Sequence, residues 1–199
     1  MEIPQEFLLE KVEQFAEDLL KNKLPDFMYF HNFEHTLLVV EGVKVIGRET
    51  KISKEDQFIL NIAAFLHDIG YTDQYMGHEN SSVRIAENFL FENGLSAGKV
   101  EQVKACIMAT RYPQFPSNML EKVICDADFY HFSLSNYNLF AARLKQEWEA
   151  KLGLVYSELQ WTALNLEMLA KHEYFTGYGK QFLQKNKNLN IEKLIQRFT

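Results

Sequence analysis

Apolar residues recur at intervals of three and four along almost the whole chain, the spacing that places them on one face of an α-helix. In the first stretch they are Phe7, Leu8, Val12, Phe15 and Leu19. No stretch alternates apolar and polar residues for long enough to indicate a strand, so we predict no sheet. Helices are predicted before Pro25 and over about 31–48, 53–69, 78–92, 96–110, 118–132, 135–152, 157–172 and 180–198, the last with a break near Asn188.

The third predicted helix differs from the others because it is apolar on every side from Phe58 to Leu66. A helix of that kind is buried, so we expect it at the centre of the fold. Ser53, with an acidic residue three positions later, is a typical N-cap, and Gly70 is expected to end the helix. Since the chain contains no internal repeat or linker, residues 1–199 are predicted to form a single all-α domain.

Four residues in three places could bind a metal ion: His35, the adjacent His67 and Asp68, and Asp128. Two imidazoles and two carboxylates suit a divalent cation of borderline hardness. His67 and Asp68 close the most apolar helix of the chain, where an unpaired carboxylate would be costly to bury. A bound cation would remove that cost, and helices that converge on one point are how all-α proteins build metal sites.

Asp126 is the alternative to Asp128. Residues two positions apart on a helix lie about 200° apart around its axis, so both carboxylates cannot face one site. The apolar residues of this helix define an inner face that lies closer to Asp128 than to Asp126. We therefore favour Asp128 as the ligand and expect Asp126 at the helix surface or in a supporting position.

The segments around these residues read YFHNFEHT at 29–36, FLHDIGY at 65–71 and CDAD at 125–128. They resemble the HD superfamily of metal-dependent phosphohydrolases, and a weaker likeness to a small single-domain cytosolic HD group continues to 171–176. The resemblance implies an HD-type helical bundle with a motif core at about 29–132 and C-terminal helices at 133–199. Its pattern of an Asp after a small residue also points to Asp128.

The same resemblance, with the position of each residue, suggests further roles. His78 aligns with a region where some relatives hold a second metal, and Glu79 beside it could act as a general acid or base. His31 shares a helix face with His35, and an arginine can hold phosphate through two parallel hydrogen bonds. The predicted site is as follows: metal ligands His35, His67, Asp68 and Asp128; catalytic residues Asp68, His78 and Glu79; substrate-binding residues His31, Arg84, Thr110 and Arg111.

Charge and cysteine usage limit the cellular setting. A net charge of -6 argues against general nucleic-acid binding, which needs a basic face. Cys106 and Cys125 lie in apolar patterns and are predicted to be buried free thiols of a reducing compartment. The start of the chain has neither a cationic segment nor a long apolar run, so we expect a cytoplasmic protein without a membrane partner.

Arg143 and Glu147, four residues apart, have the spacing of an ordinary helical ion pair.

The leading hypothesis is a phosphohydrolase in which metal-activated water attacks a small phosphate ester, such as a nucleotide or a related pyrophosphate compound. The expected cofactor is one divalent ion or two, of Mn, Fe, Co, Ni, Zn or Mg. Two alternatives stay open: a catalytically silent nucleotide-binding HD regulator, and a di-iron HD-type oxygenase. Substrate identity, metal identity and oligomeric state, a homodimer included, are not readable from the sequence.

Overall fold

The computed structural model describes residues 4–196, and every regular element within that range is helical. The prediction of an all-α fold is therefore confirmed. Among these residues no helix has the length and apolar character that a bilayer crossing requires. The helices are α1 (Gln5–Asn22), α2 (Phe33–Thr50), α3 (Lys54–Leu66), α4 (His78–Glu92), α5 (Ala97–Ala109), α6 (Met119–Asp128), α7 (Tyr137–Leu152), α8 (Glu158–Lys171) and α9 (Gln184–Ile195).

Three short turns of other helix types join these elements: 3₁₀ turns at Ile69–Thr72 and Tyr130–Ser133, and a π-helical turn at Gly179–Leu183. The sixth predicted helix therefore ends earlier than expected, at Asp128. The carbonyl of Phe129 accepts the hydroxyl of Tyr174 at 3.2 Å, so a distant residue stabilises the end of the helix. The final helix runs through Asn188 without the expected break, and its predicted end at Phe198 lies outside the described residues.

The central position of α3 is confirmed. Its residues from Phe58 to Leu66 are buried apart from Asn61, and it packs against α1, α2 and α5. The side chain of Ser53 accepts the N–H of Asp56 at 3.0 Å, as expected of the N-cap. Helix α2 also packs along α6, so the helices that carry the predicted ligands are neighbours.

Helices α2 and α6 approach each other through small residues. A Cβ atom placed on Gly42 would lie 3.0 Å from the Cβ of Ala127. Larger side chains at this point would push the two helices apart, because packed cores leave little free space. The small side chain of Ala127, which precedes Asp128, is therefore needed so that the end of α6 can lie close to α2.

Both cysteines are buried free thiols among the described residues, as predicted. Burial raises the pKa of Cys106 to about 12. The Sγ of Cys125 donates to the carbonyl of Ala109 at 3.1 Å. A thiol that stays protonated at neutral pH is a poor nucleophile, so neither cysteine is a catalytic candidate.

Gly70 lies between α3 and α4, but it does not end α3 as expected. Helix α3 ends at Leu66, and Gly70 lies in the following 3₁₀ turn. Its N–H donates to Oγ of Ser82 at 2.8 Å, and a Cβ atom at Gly70 would lie 2.0 Å from the carbonyl oxygen of His78. The glycine is needed because two backbone segments meet, and this close approach brings the first residue of α4 beside Asp68.

We expect Gly70→Ala to destabilise the protein by about 3 kcal/mol, because the added methyl group meets backbone atoms that cannot move independently. Urea unfolding gives the free energy of unfolding. Gly98→Ala is the matched control, since a Cβ atom at Gly98 meets no atom within 4 Å, and it should be neutral or slightly stabilising. Equal stability of Gly70→Ala and wild type would contradict the close packing of this turn on α4.

Candidate metal centre

Three helices bring the predicted ligands together. His35 lies in the first turn of α2, whose N-cap Asn32 accepts the N–H groups of Glu34 and His35; His67 and Asp68 follow α3, and Asp128 ends α6. Nε2 of His35 lies 3.3 Å from Oδ1 of Asp128 and 3.5 Å from Oδ2 of Asp68. Nε2 of His67 lies 3.2 Å from Oδ2 of Asp68 and 3.8 Å from Oδ1 of Asp128. The four side chains surround one point.

The atoms that face this point lack hydrogen-bond partners. Within residues 4–196, Nε2 of His35, Nε2 of His67 and Oδ2 of Asp68 are buried and have no hydrogen-bond partner, although they lie within ion-pair distance of the other ligands. Buried polar atoms are seldom left unpaired, because each one costs free energy. One donor atom from each of His35, His67 and Asp128 lies within 4.8 Å of the other two. The donor set and its unpaired atoms therefore fit a divalent metal ion.

The backbone fixes the orientation of one imidazole. Nδ1 of His67 lies 2.8 Å from the carbonyl oxygen of Ala64. A carbonyl can only accept, so Nδ1 carries a hydrogen. Nε2 is then the nitrogen that faces the cluster, and it offers a lone pair to a metal when the ring is neutral. Metal-binding histidines are commonly held in this way, with the second ring nitrogen donating to a carbonyl or carboxylate.

The charges of the cluster attract a cation. Burial opposes protonation of His67, but Asp68 and Asp128 outweigh it and raise the pKa of His67 to about 9. Burial likewise opposes ionisation of Asp68, but His67 and His78 hold the pKa of its carboxyl well below the usual range. Burial opposes ionisation of Asp128 too, but His35 and His67 hold the pKa of its carboxyl below the usual value, so both carboxylates are ionised at neutral pH. Protons and a metal ion compete for the same imidazole lone pairs.

Asp126 lies on the other side of α6 and has different partners. It is fully buried. Its Oδ1 accepts the N–H of Phe175 at 2.7 Å, and its Oδ2 accepts the N–H and hydroxyl of Thr176 at 2.9 and 2.6 Å. Asp126 therefore anchors the segment between α8 and α9, whereas Asp128 faces His35, as the helical geometry predicts.

A cavity of about 540 Å³ opens beside the cluster, and Asp68 and Asp128 form part of its wall. Most of the wall is aromatic or aliphatic, with Phe30, Tyr71 and Trp148 among its residues. Within the described part of the chain this wall contains a single arginine and no lysine. The cavity therefore suits a ligand with a large apolar surface and few negative charges.

The predicted catalytic residues on α4 line this cavity. Nε2 of His78 lies 3.2 Å from Oδ1 of Asp68, and its ring stacks on Tyr71 with a centroid distance of 3.8 Å. Glu79 is buried, with Oε1 3.9 Å from Nε2 of His78. Oε2 of Glu79 has no hydrogen-bond partner among residues 4–196. His78 is thus within hydrogen-bond reach of Asp68, and Glu79 lies beside His78.

The predicted substrate-binding residues divide into two groups. His31, Thr110 and Arg111 line the cavity, and Oγ1 of Thr110 donates to the carbonyl of Ile107 at 2.8 Å. Arg84 does not line it, because six residues along α4 from His78 correspond to a rotation of about 240°. Arg84 instead pairs with Asp73 at 2.9 Å on the surface. Its expected role in substrate binding therefore does not fit the structure.

Two polar residues near the cluster were missed by sequence reasoning. Gln114 donates through Nε2 to Oδ2 of Asp128 at 3.3 Å, and the signal for it was its place three positions after Arg111. Glu147 does not form the expected ion pair with Arg143, which pairs with Glu34 at 2.6 Å. No local pattern indicates the true partners of Glu147, because they lie more than 70 positions away in the sequence.

Comparison with known proteins gives two findings. The sequence profile that describes the HD domain matches residues 32–133, slightly more than half of the 199 residues, and this range contains all four predicted ligands. The crystal structure of Bacillus subtilis YpgQ in complex with ADP has a similar fold, with a TM-score of 0.69 and 18% identity over 98% of this chain and 95% of that chain. At this identity the likeness concerns the fold alone. No protein of curated function has a sequence that matches the chain.

Proposed function

The chain belongs to the HD domain family, and on that premise we propose that it is a metal-dependent phosphohydrolase acting on a small phosphate ester. The observation that carries the proposal is the set of buried ligand atoms of His35, His67 and Asp68 that have no hydrogen-bond partner, beside the cavity. We also propose that residues 1–199 act as one HD domain in the cytoplasm.

His35, His67, Asp68 and Asp128 would hold the metal. When bound, a divalent ion polarises a phosphoryl oxygen and lowers the pKa of water. The donor set suits Mn, Fe, Co, Ni or Zn, and Mg is the harder alternative. His78 and Glu79 are the nearest residues that could support a second ion.

The remaining residues of the site would bind substrate and move protons. Asp68, held through Oδ1 by His78, would orient the attacking water. Glu79 has a carboxylate oxygen with no fixed partner among the described residues, so it can exchange a proton with the water or with the leaving oxygen. His31, Thr110 and Arg111 would contact the phosphate group, because Arg111 supplies the positive charge on the wall.

The cavity also limits the rest of the substrate. Aromatic side chains such as Trp148 provide flat apolar surfaces, and nucleobases stack well on such surfaces. The fold neighbour YpgQ was solved with ADP, which supports a nucleotide as the ligand class. With one arginine on the wall, a substrate that carries one or two phosphates fits better than a triphosphate.

The test is metal-dependent phosphate release. The purified protein, treated with a chelator and reloaded with Mn, Co, Ni or Mg, is assayed with p-nitrophenyl phosphate and with nucleoside mono- and diphosphates. We expect hydrolysis that is lost on chelation and restored by one or more of these metals. Tight nucleotide binding without product would favour the silent regulator, and oxygen consumption with two bound irons would favour the oxygenase. Either result would replace the proposal.

A further inference from the structure

A wholly buried carboxylate on α7 lies behind the cavity wall, in contact with His31 and Tyr75, which line it. It has no role in the proposed reaction. Glu147 is 0% exposed, and it accepts four hydrogen bonds. Its Oε2 accepts the N–H groups of Phe30 and His31 at 2.8 and 3.0 Å. Its Oε1 lies 2.5 Å from Nδ1 of His31 and accepts the hydroxyl of Tyr75 at 2.9 Å. Helix α7 is thus joined to two segments of the motif core.

These hydrogen bonds determine how His31 meets the cavity. Burial opposes ionisation of Glu147, but the hydrogen bonds and charge of His31 outweigh it and hold the pKa of the carboxyl below its usual value. An ionised carboxylate only accepts, so Nδ1 of His31 must carry the hydrogen. This holds whether the ring is neutral or charged. Nε2 is therefore the nitrogen through which His31 can bond a molecule in the cavity that it lines.

Stacking holds the same ring in place from its face. The ring of His31 lies against Tyr71 with a centroid distance of 4.5 Å and an interplanar angle of 30°. Tyr71 in turn stacks on His78, which contacts Asp68. Rotation of the His31 ring would break its bond to Glu147 and open this stack. The ring is therefore held both by its edge and by its face.

We propose that Glu147 is a positioning residue that holds His31 as the Nδ1–H tautomer, so that Nε2 can form a hydrogen bond with the substrate. The tautomer stands on the hydrogen bonds alone, and the bond to substrate rests on the proposed phosphohydrolase function. A carboxylate that orients a histidine in this way is a recurrent device of catalytic sites. The residue lies outside the range that the HD profile matches, so the C-terminal helices would contribute to the site through it.

The decisive variant is Glu147→Gln. The amide oxygen can still accept the N–H groups of Phe30 and His31, but the amide nitrogen would face Nδ1 of His31. Nδ1 must then become an acceptor, and the hydrogen moves to Nε2. Glu149→Gln is the matched control, because it makes the same change on the same helix, at a carboxylate that accepts the N–H of Tyr156 at 3.0 Å.

Ring ¹⁵N NMR of histidine-labelled protein reads the tautomer without any assay of activity. We expect Nδ1 of His31 to be protonated in the wild type and in Glu149→Gln. In Glu147→Gln we expect Nδ1 to be unprotonated and Nε2 to be protonated. An unprotonated Nδ1 of His31 in the wild type would overturn the proposal, even if Glu147→Gln failed to fold. If the tautomer is as expected and no phosphate ester is hydrolysed, the positioning of His31 is supported and the proposed function is rejected.

Kinetics tests whether Glu147 acts through His31. We expect Glu147→Gln to lower kcat by about 10- to 100-fold and to change the pH profile of kcat, with metal content and thermal stability near those of wild type. In a His31→Asn background the same substitution should change kcat by less than about twofold, since the residue it positions is gone. A full additional loss in that background would show that Glu147 acts elsewhere and would overturn the proposal.

Discussion

His67→Ala should fold, lose its bound metal and retain no more than about one thousandth of the wild-type kcat/KM. The substitution removes a predicted ligand whose Nε2 lies 3.2 Å from Asp68 and whose Nδ1 is fixed by the carbonyl of Ala64, so only three of the four predicted ligands remain. A thousandfold loss corresponds to about 4 kcal/mol of transition-state stabilisation, within the range that a catalytic metal supplies.

Elemental analysis of freshly purified protein gives the metal content, and steady-state kinetics gives kcat/KM. His172→Ala is the control, because it removes another imidazole from the wall of the same cavity but none of the four predicted ligands. It should keep a full complement of metal. Normal metal content in His67→Ala would contradict the proposed centre, since the remaining three side chains would then suffice or the ion would be bound elsewhere.

The part of the site that the sequence predicts is the part that local patterns encode. The apolar run from Phe58 to Leu66 requires a central helix, and it therefore places His67 and Asp68 at the end of that helix near the interior. On α6 the angular separation of Asp126 and Asp128 follows from helix geometry alone. Helix type and the direction of a side chain are properties of short segments, and periodicity reports both.

Contacts between distant segments are the part that the sequence does not predict. Glu147 has the right spacing for an ion pair with Arg143, and nothing nearby indicates that it reaches His31, 116 positions away. Asp126 was expected at the helix surface or in a supporting position. It is buried and accepts hydrogen bonds from Phe175 and Thr176, partners that nothing in the sequence indicates. In each case a polar side chain satisfies the backbone of another segment, which depends on how the helices pack rather than on their periodicity.

Position on a helix also explains why Arg84 lies away from the cavity. Its charge and its place near the motif segments suggested a phosphate contact, but α4 turns it toward Asp73. Arg111 follows α5 directly at the edge of the cavity and lines its wall. Nearness in sequence thus indicates a shared site only when the helical angle agrees as well.

Asp128→Asn and Asp126→Asn make the same chemical change two residues apart, but they should affect different properties: the first should lower metal affinity and the second should lower stability. Asp128→Asn removes a charged ligand that faces His35, so we expect metal affinity to fall at least about tenfold and kcat/KM by about 10²- to 10³-fold. Its stability without metal should stay near that of wild type. Asp126→Asn should bind metal normally in its folded form but lose about 2–3 kcal/mol of stability, because an amide cannot accept all three hydrogen bonds from Phe175 and Thr176.

Urea unfolding of chelator-treated proteins separates the two effects, because bound metal would itself stabilise the folded state and mask the difference. Metal titration of each folded variant then gives the affinity. Loss of metal binding in Asp126→Asn, with normal binding in Asp128→Asn, would reverse the assignment of the ligand on α6. The two residues share one helix, so a general disturbance of α6 would lower both stability and metal affinity in both variants. Only the specific contacts described above predict lower affinity in Asp128→Asn alone and lower stability in Asp126→Asn alone.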